Sequence, residues 1–381
     1  MAETRDIPQR IARLTPFPEA LDHIYRCVSP VAPRAVKTNA ALGRVLAASD
    51  AEAEARPGVL LALRDGWAVS SEATLDAGSY APAVITPAPV AVQVGDALPA
   101  NTDAVAAPDA VEIRDGVANA LVAVAPGEGV LTRGADVAPG ATLFRTGHLI
   151  SRTHLAVLSA MGRGDISVRA PRVRIVSARP RDDVIIESIV TLLSRAVEAE
   201  GGVAIRSKPA SANADGPENA LLDQEADAFI VVGGSGSGER DHSVQALARL
   251  GQVAFHGVGL SPAESTAFGT IGPRPVLVVP GRLDAALAAW LALGRYVLAL
   301  LTGRSVDDPD AAWPAILARK ITSTVGLAEV IVMRRENEAV VPLASGYLSL
   351  QALAGADGWF LVPADSEGIP ADALVIMKSL P

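Results

Sequence analysis

Apolar positions change their period along this chain, and each change marks a new element. After Thr15-Pro16-Phe17-Pro18, where a threonine cap and early prolines suit a helix entry, Leu21, Ile24 and Tyr25 keep helical spacing until Pro30 and Pro33 stop the run. Ala40 to Leu46 reads as a short helical or extended piece. From Ala51 to Asp136 prolines and glycines become frequent and apolar runs shorten. Val90–Val94, Ala104–Ala107, Val111–Ile113 and Leu121–Val124 read as strands, with Asp115-Gly116 as a hairpin turn. Thr153 to Met161 predicts a helix ended by Gly162. Beyond Pro171 the β-branched runs Val173–Val176, Val203–Ile205, Phe229–Val232 and Val276–Val279 alternate with helical patterns at Ile185–Glu200, Glu218–Leu222, Val244–Leu250 and Asp284–Leu301. Such alternation predicts a parallel sheet with helices on both faces. Thr302 to Pro314 reads as a linker, and the rest is strand-like, with a turn at Glu336-Asn337-Glu338 between Val330–Arg334 and Val340–Leu343 and later runs at Trp359–Val362 and Leu374–Met377. The fold class expected is α/β plus β: a three-layer parallel-sheet domain with a β-rich insertion and a small C-terminal β domain.

Length makes several domains the expectation, because 381 residues exceed the roughly 250–300 at which single cores stop growing. Only 4% of residues are aromatic, so alanine, valine and leucine must do the packing. A net charge of −9 leaves no broad basic stripe to neutralise phosphates, which argues against a nucleic-acid partner and still permits a local basic pocket. The single cysteine, Cys27, excludes an intrachain disulfide and a multi-cysteine metal site. His23, His148, His154, His242 and His256 form no HExxH pair. The first residues are charged and lack an apolar signal-peptide core. The most apolar run, Ala285 to Leu301, is shorter than the roughly 20 residues of a membrane span and contains Arg295. The expectation is a cytoplasmic protein without a membrane partner.

Chemistry concentrates where the predicted strands end. Phe229–Val232 runs into Gly233-Gly234-Ser235-Gly236-Ser237-Gly238, then Glu239-Arg240-Asp241 and a helical pattern. Glycines let backbone approach a ligand at positive φ, and the helix that follows points unpaired N–H groups at an anion. No Gly-Lys-Ser/Thr follows, so the loop is not a Walker A motif; a plain flexible turn is the alternative. In open α/β sheets ligands bind beyond the C-terminal strand ends. Ser177–Asp183 and Pro280–Asp284 share that edge and bring Arg179, Arg181 and Arg282. These arginines suit an anionic, phosphorylated ligand, or they pair with Asp182, Asp183 and Asp284 beside them. Asp65-Gly66 reads as a turn or as a site residue.

In order, these motifs resemble those of the molybdopterin molybdenumtransferase family, which includes the C-terminal domain of gephyrin. Asp65-Gly66-Trp67-Ala68-Val69 is similar to its Asp-Gly-Tyr-Ala-Val. Gly95, Leu98-Pro99 and Asp103-Ala104-Val105 resemble its Gly-x-x-Leu-Pro-x-Gly-x-Asp-Ala-Val, and Arg133-Gly134-Ala135-Asp136 its Arg-Gly-Glu-Asp. Gly233-Gly234 through Gly238 and Asp241 resembles Gly-Gly-x-Ser-x-Gly-x-x-Asp. Pro280-Gly281 resembles the start of Pro-Gly-Asn-Pro, and Ser345-Gly346 with Leu348 and Ser349 its C-terminal Ser-Gly segment. The resemblance implies an α/β molybdopterin-binding domain (1–27 and 171–304), an elongated dimerisation region (28–50 and 136–170), a β-rich insertion (51–135) and a C-terminal β domain (305–381). It implies a homodimer that inserts molybdate into adenylylated molybdopterin with release of AMP, assisted by Mg2+. Other cofactor-synthesis proteins or a molybdoenzyme would be partners. It assigns catalytic roles to Asp65 and Asp241, with Asp241 also on Mg2+. By the same resemblance, ligand-binding roles fall to Gly233, Gly234, Ser235, Ser237, Gly238, Pro280, Gly281 and Ser345, while Arg179, Arg181 and Arg282 are ligand-binding candidates by their place in the strand-end loops and not by the family pattern.

Departures from the family pattern cluster in its charged positions. Its Ser-Thr-Gly-Asp-Glu loop is here Ser177-Ala178-Arg179-Pro180-Arg181, and its Lys-Pro-Gly-Lys-Pro is Ser261-Pro262-Ala263-Glu264-Ser265. Its Gly-Arg is Gly326-Leu327, the Asn-Pro after Pro280-Gly281 is Arg282-Leu283, and the threonine before Gly95 is Val94. Lysine and arginine would hold a molybdate dianion, and Glu264 would repel it. Two expectations follow: an insertion enzyme whose site is rebuilt around Arg179, Arg181 and Arg282, or a non-catalytic pterin carrier or scaffold, a pseudoenzyme that kept the glycine loop and lost the molybdate site.

Overall fold

The computed structural model describes residues 9–178, 183–206, 217–239, 241–305 and 312–381. The chain divides into two compact units: Met1–Ala48 with Thr146–Pro381, and Ser49–Arg145.

In the first unit the β-branched runs build one sheet. Its strands are β1 (Arg172–Ser177), β2 (Val203–Arg206), β3 (Ala228–Val232), β4 (Gln252–His256), β5 (Ala267–Ile271) and β6 (Arg274–Val279), in the spatial order β2-β1-β3-β6-β5-β4. β2, β1, β3 and β6 are parallel. β5 pairs antiparallel with both β6 and β4, so the sheet is mixed where the sequence predicts a parallel one. The reason lies in the connection: Gly272-Pro273 joins β5 to β6 directly, with Gly272 at φ +60, and a tight hairpin can only join antiparallel neighbours.

Both faces of the sheet are covered, which is why β3 reads as a continuous apolar run. Ile230 and Val232 face a core with the helix Val184–Ala199, which buries Ile186, Ile189, Val190, Leu193 and Val197. Each such side chain contributes roughly 1.5–3 kcal/mol of transfer free energy. Phe229 and Val231 face the other layer, with Leu221, Val244 and Leu247. The expected long helix is present as Leu283–Ala289, a π-helical segment Trp290–Gly294, and Arg295–Thr302. A Cβ on Gly294 would lie 2.5 Å from the Trp290 ring, so glycine makes room for that tryptophan. Leu283–Thr302 is long and apolar enough to cross a membrane, yet its most apolar window is 72% buried in the protein: it is a core helix.

After the helix the expected linker is partly strand. Residues 306–311 lie outside the described residues, and Ala312–Leu317 pairs with Leu374–Ser379. That strand belongs to a closed five-stranded barrel with Ala328–Glu336, Ala339–Ala344 and Gly358–Val362, closed by pairing of Ala328–Glu336 with Gly358–Val362. Asn337, at φ +56, makes the turn between Ala328–Glu336 and Ala339–Ala344. Leu260–Ser261 leaves the α/β region to pair with Ala328–Glu336, tying barrel and sheet together.

The second unit is built of short antiparallel strands. Gly66–Val69 lies between Val90–Val92 and Ala104–Ala106, and Val117–Ala120 between Ala83–Val84 and Val111–Arg114. The sequence places a strand at Leu121–Val124; the structure has it at Val117–Ala120. Asp115 and Gly116, both at positive φ, turn the chain in two residues, so pairing resumes at once.

Candidate anion-binding site at the strand ends

Three connections leave the C-terminal ends of β1, β3 and β6. Ala178 N–H donates to Val232 O and Gly233 N–H to Val279 O, so the loops start in register with the sheet. They meet closely: a Cβ on Gly281 would lie 3.5 Å from Gly233 Cα and 3.4 Å from Ile186 Cδ1.

The loop after β3 is held by its carbonyls. Gly233 and Gly234 have φ of +86 and +70. Ser243 Oγ donates to Gly233 O at 2.8 Å. Gln9 Nε2 donates to Gly234 O at 2.8 Å and to Gly236 O at 2.7 Å. His256 Nε2 donates to Ser235 O at 2.8 Å. Four consecutive carbonyls are thus turned into the protein. Because the peptide is planar and trans, the N–H of the next residue points away from the group that pins each carbonyl. Successive N–H groups left on the other side of pinned carbonyls are the donors from which an anion-binding nest can be built. A Cβ on Gly234 would sit 2.3 Å from Ser243 Oγ, so only glycine fits there. Asp241 closes the loop: its Oδ2 accepts from Gly238 N–H at 3.0 Å. Ser235 Oγ bonds Ser265 Oγ at 2.9 Å, which docks the Ser261–Ser265 segment on the loop. Ser237 and Gly238 are exposed at its tip.

The other two loops behave differently. Asp183 caps the helix Val184–Ala199 by accepting from Ile185 and Ile186 N–H, so this helix start already holds its own carboxylate. Arg179 and Arg181 lie outside the described residues. In the loop after β6, Arg282 makes the local pair that its neighbour allowed: Nε to Asp284 Oδ1 at 3.1 Å and Nη2 to Oδ2 at 2.6 Å. This hydrogen-bonded carboxylate holds the guanidinium pKa above its ordinary value, and the charge of Glu264 adds to the effect. Leu348 N–H also donates to Asp284 Oδ2, at 3.4 Å. The segment that follows Ser345 therefore stands beside Arg282 and Asp284. Ser345 itself is exposed, and its carbonyl accepts from Tyr347 N–H at 2.7 Å.

Asp65 belongs to the second unit, where its carboxylate accepts from Val94 N–H at 2.9 Å. Among the described residues no group of three or more His, Cys, Asp or Glu is placed to hold a metal ion. Mg2+ commonly takes one or two carboxylates plus substrate phosphates and water. Asp241 is a carboxylate of that kind, so this donor fits an ion carried in by a phosphorylated ligand.

Sequence reasoning missed Gln9, Ser243, Ser265, Asp284 and Tyr347 as site residues, and read His256 only as a lone histidine. Gln9 contacts a loop more than 220 residues away, and nothing local in the sequence signals that.

Residues 15–162 match the model of the MoeA N-terminal region (domains I and II), and residues 174–300 match the model described as a probable molybdopterin binding domain. The chain belongs to the MoeA family. Its relation to the molybdopterin molybdenumtransferases is distant. A protein of Methanocaldococcus jannaschii named for molybdopterin biosynthesis is 25% identical over 345 residues, 82% of this chain and 84% of the relative. Molybdopterin molybdenumtransferase 2 of Mycobacterium tuberculosis is 26% identical over 267 residues, 63% of this chain and 64% of the relative. The fold is that of the molybdopterin biosynthesis moeA protein of Pyrococcus horikoshii, with a TM-score of 0.75 over 96% of this chain and all of that one, at 23% identity. This MoeA-family protein belongs to molybdenum cofactor biosynthesis, and its central domain is molybdopterin-binding.

Proposed function

We propose that the Gly233–Asp241 loop holds the terminal phosphate of molybdopterin, and that this chain binds and hands on the pterin with its molybdate-insertion step weakened. The four pinned carbonyls of Gly233–Gly236 carry the reading: five protein hydrogen bonds are spent on the uncharged Gly233–Gly236 stretch, which preorganises its N–H groups for an anion. Where the family supplies two lysines, this chain has Ser261 and Glu264, and the nearby Arg282 is already neutralised by Asp284. A molybdate dianion meets little positive field there.

A second reading keeps insertion. Arg282 remains 59% exposed at its side chain, and a guanidinium bonded to one carboxylate retains further donors for an oxyanion. AMP release from adenylylated molybdopterin, with and without molybdate and Mg2+, separates the two. Micromolar pterin binding with no molybdate-dependent release supports the carrier. Molybdate-dependent release establishes insertion. Absence of binding by molybdopterin and its adenylylated form removes the first reading. The same reading takes the active species as a homodimer joined through 28–50 and 136–170, which light scattering on the purified protein tests.

A further inference from the structure

Tyr347 is 62% exposed, yet its surroundings hold it in place. Gly346, at φ +66, turns the chain so that Tyr347 stands out, and Leu348 directly after it is buried, with its N–H on Asp284. Asp284 in turn grips Arg282 through two hydrogen bonds, with its side chain 5% exposed. The bidentate contact fixes the plane of the guanidinium as well as its position. Arg282 Cζ then lies 5.6 Å from the Tyr347 ring centroid, within cation–π range. Gly281, one residue earlier, packs against Gly233 of the glycine loop. A flat, rigid pair of side chains therefore stands beside the anion nest.

The local charge decides what such a pair can bind. Arg282 carries one positive charge; Asp284 and the nearby Glu264 carry two negative ones. A dianion gains little at this position. A neutral planar ring gains from it, because guanidinium and phenol faces stack on π systems without needing net charge. An exposed tyrosine adds little to the core, so packing alone does not account for a turn that displays it.

We infer that Arg282 and Tyr347 form a stacking platform for the planar nitrogen heteroaromatic ring of the phosphorylated ligand, and so select ring-bearing ligands over bare phosphates. The inference rests on the proposed phosphate cradle. The ring is either the pterin or the adenine of an adenylylated ligand.

Equilibrium binding of AMP, ribose 5-phosphate and molybdopterin to the full chain tests it, with Tyr347→Ala, Tyr347→Phe and Arg282→Lys alongside the wild type. In Tyr347→Ala the affinity for one ring-bearing ligand falls about tenfold, ribose 5-phosphate binding stays the same, and Tyr347→Phe restores the loss. Arg282→Lys reproduces the loss, because an ammonium cannot stack. Loss for AMP identifies the adenine, and loss for molybdopterin the pterin. The platform is overturned if Tyr347→Ala leaves both ring-bearing ligands unchanged, or weakens ribose 5-phosphate equally. If the wild type binds none of the three, the cradle itself is wrong and the platform falls with it.

Discussion

The glycine loop and the rim facing it solve different problems on one edge of the sheet. The loop is built from backbone: the uncharged run Gly233–Gly238, positive φ at Gly233 and Gly234, and carbonyls held by Gln9, Ser243 and His256. The rim at Ser261–Ser265 and Pro280–Asp284 is built from side chains, and its one positive charge is outnumbered by two carboxylates. Likeness to the family motifs is strong in the loop and poor in the rim. A backbone nest depends on few residue types, because only glycine tolerates the geometry. A cation cluster depends on side chains, which can be exchanged without disturbing the fold. The loop thus keeps its form while the chemistry beside it changes.

The sharpest way to break this contrast is Gly234→Ala. At φ +70, with the new Cβ 2.3 Å from Ser243 Oγ, the loop must move and release the Gly233 and Gly234 carbonyls. Molybdopterin affinity should fall about a hundredfold, as expected when preorganised donors are lost. Calorimetric titration measures it, and wild-type affinity would show that the loop is not the cradle. Gln9→Ala is milder. It removes two bonds from a side chain that is 7% exposed and leaves the buried Gly234 carbonyl and the part-buried Gly236 carbonyl without this donor. Stability should drop by about 1–3 kcal/mol in urea unfolding, and affinity about tenfold. A variant that loses stability but keeps full affinity would make Gln9 a structural residue only.

These two sites were unequally legible from sequence. Gly233-Gly234 announced itself because glycine pairs after a β-branched run have a physical meaning that survives without context. The parallel strands were legible for a related reason: runs buried on both faces, such as Phe229–Val232, admit only apolar residues. The antiparallel pairings of β4 and β5 were not, since Ala267–Ile271 opens on an alanine and carries a glycine at its centre, which interrupts the apolar, β-branched run. Gln9 was invisible, because its partners lie across the whole length of the α/β region. The pairing of Arg282 with Asp284 was one of two open readings, and only side-chain geometry could choose between them. The placement of Tyr347 depends on Leu348 anchoring to Asp284, a contact between the barrel segment and the α/β core that no local pattern encodes.

Charge at the rim offers a smaller test. Glu264→Lys exchanges a repulsive charge for the cation found in the family motif. For a partly exposed position at an effective dielectric near that of the protein surface, molybdate affinity or molybdate-dependent AMP release should rise about three- to tenfold, and salt should erode the gain. Molybdopterin binding through the loop should stay unchanged. A gain in pterin affinity without any response to molybdate would mean that loop and rim are not separate in function.

The smallest effect is expected from a charge away from these loops. Asp223, before β3, accepts from Glu225 N–H and pairs with Arg174 in β1; the backbone hydrogen bond, then the arginine charge, hold its pKa below the ordinary 3.8, against the opposing pull of desolvation. A carboxylate with a depressed folded pKa stabilises the protein above its unfolded pKa, and that contribution disappears as pH falls through the folded value. Asp223→Asn should therefore cost on the order of 1 kcal/mol near pH 7. The gap from wild type should shrink below about pH 4, the unfolded carboxylate range, and close at lower pH. Urea unfolding at stepped pH reads this window. Molybdopterin affinity at pH 7 should stay within about twofold of wild type, because an ion pair worth this little cannot reorder the glycine loop. If affinity fell as far as in Gln9→Ala, the loop would depend on charge carried through the sheet, and its independence from side-chain electrostatics would be lost.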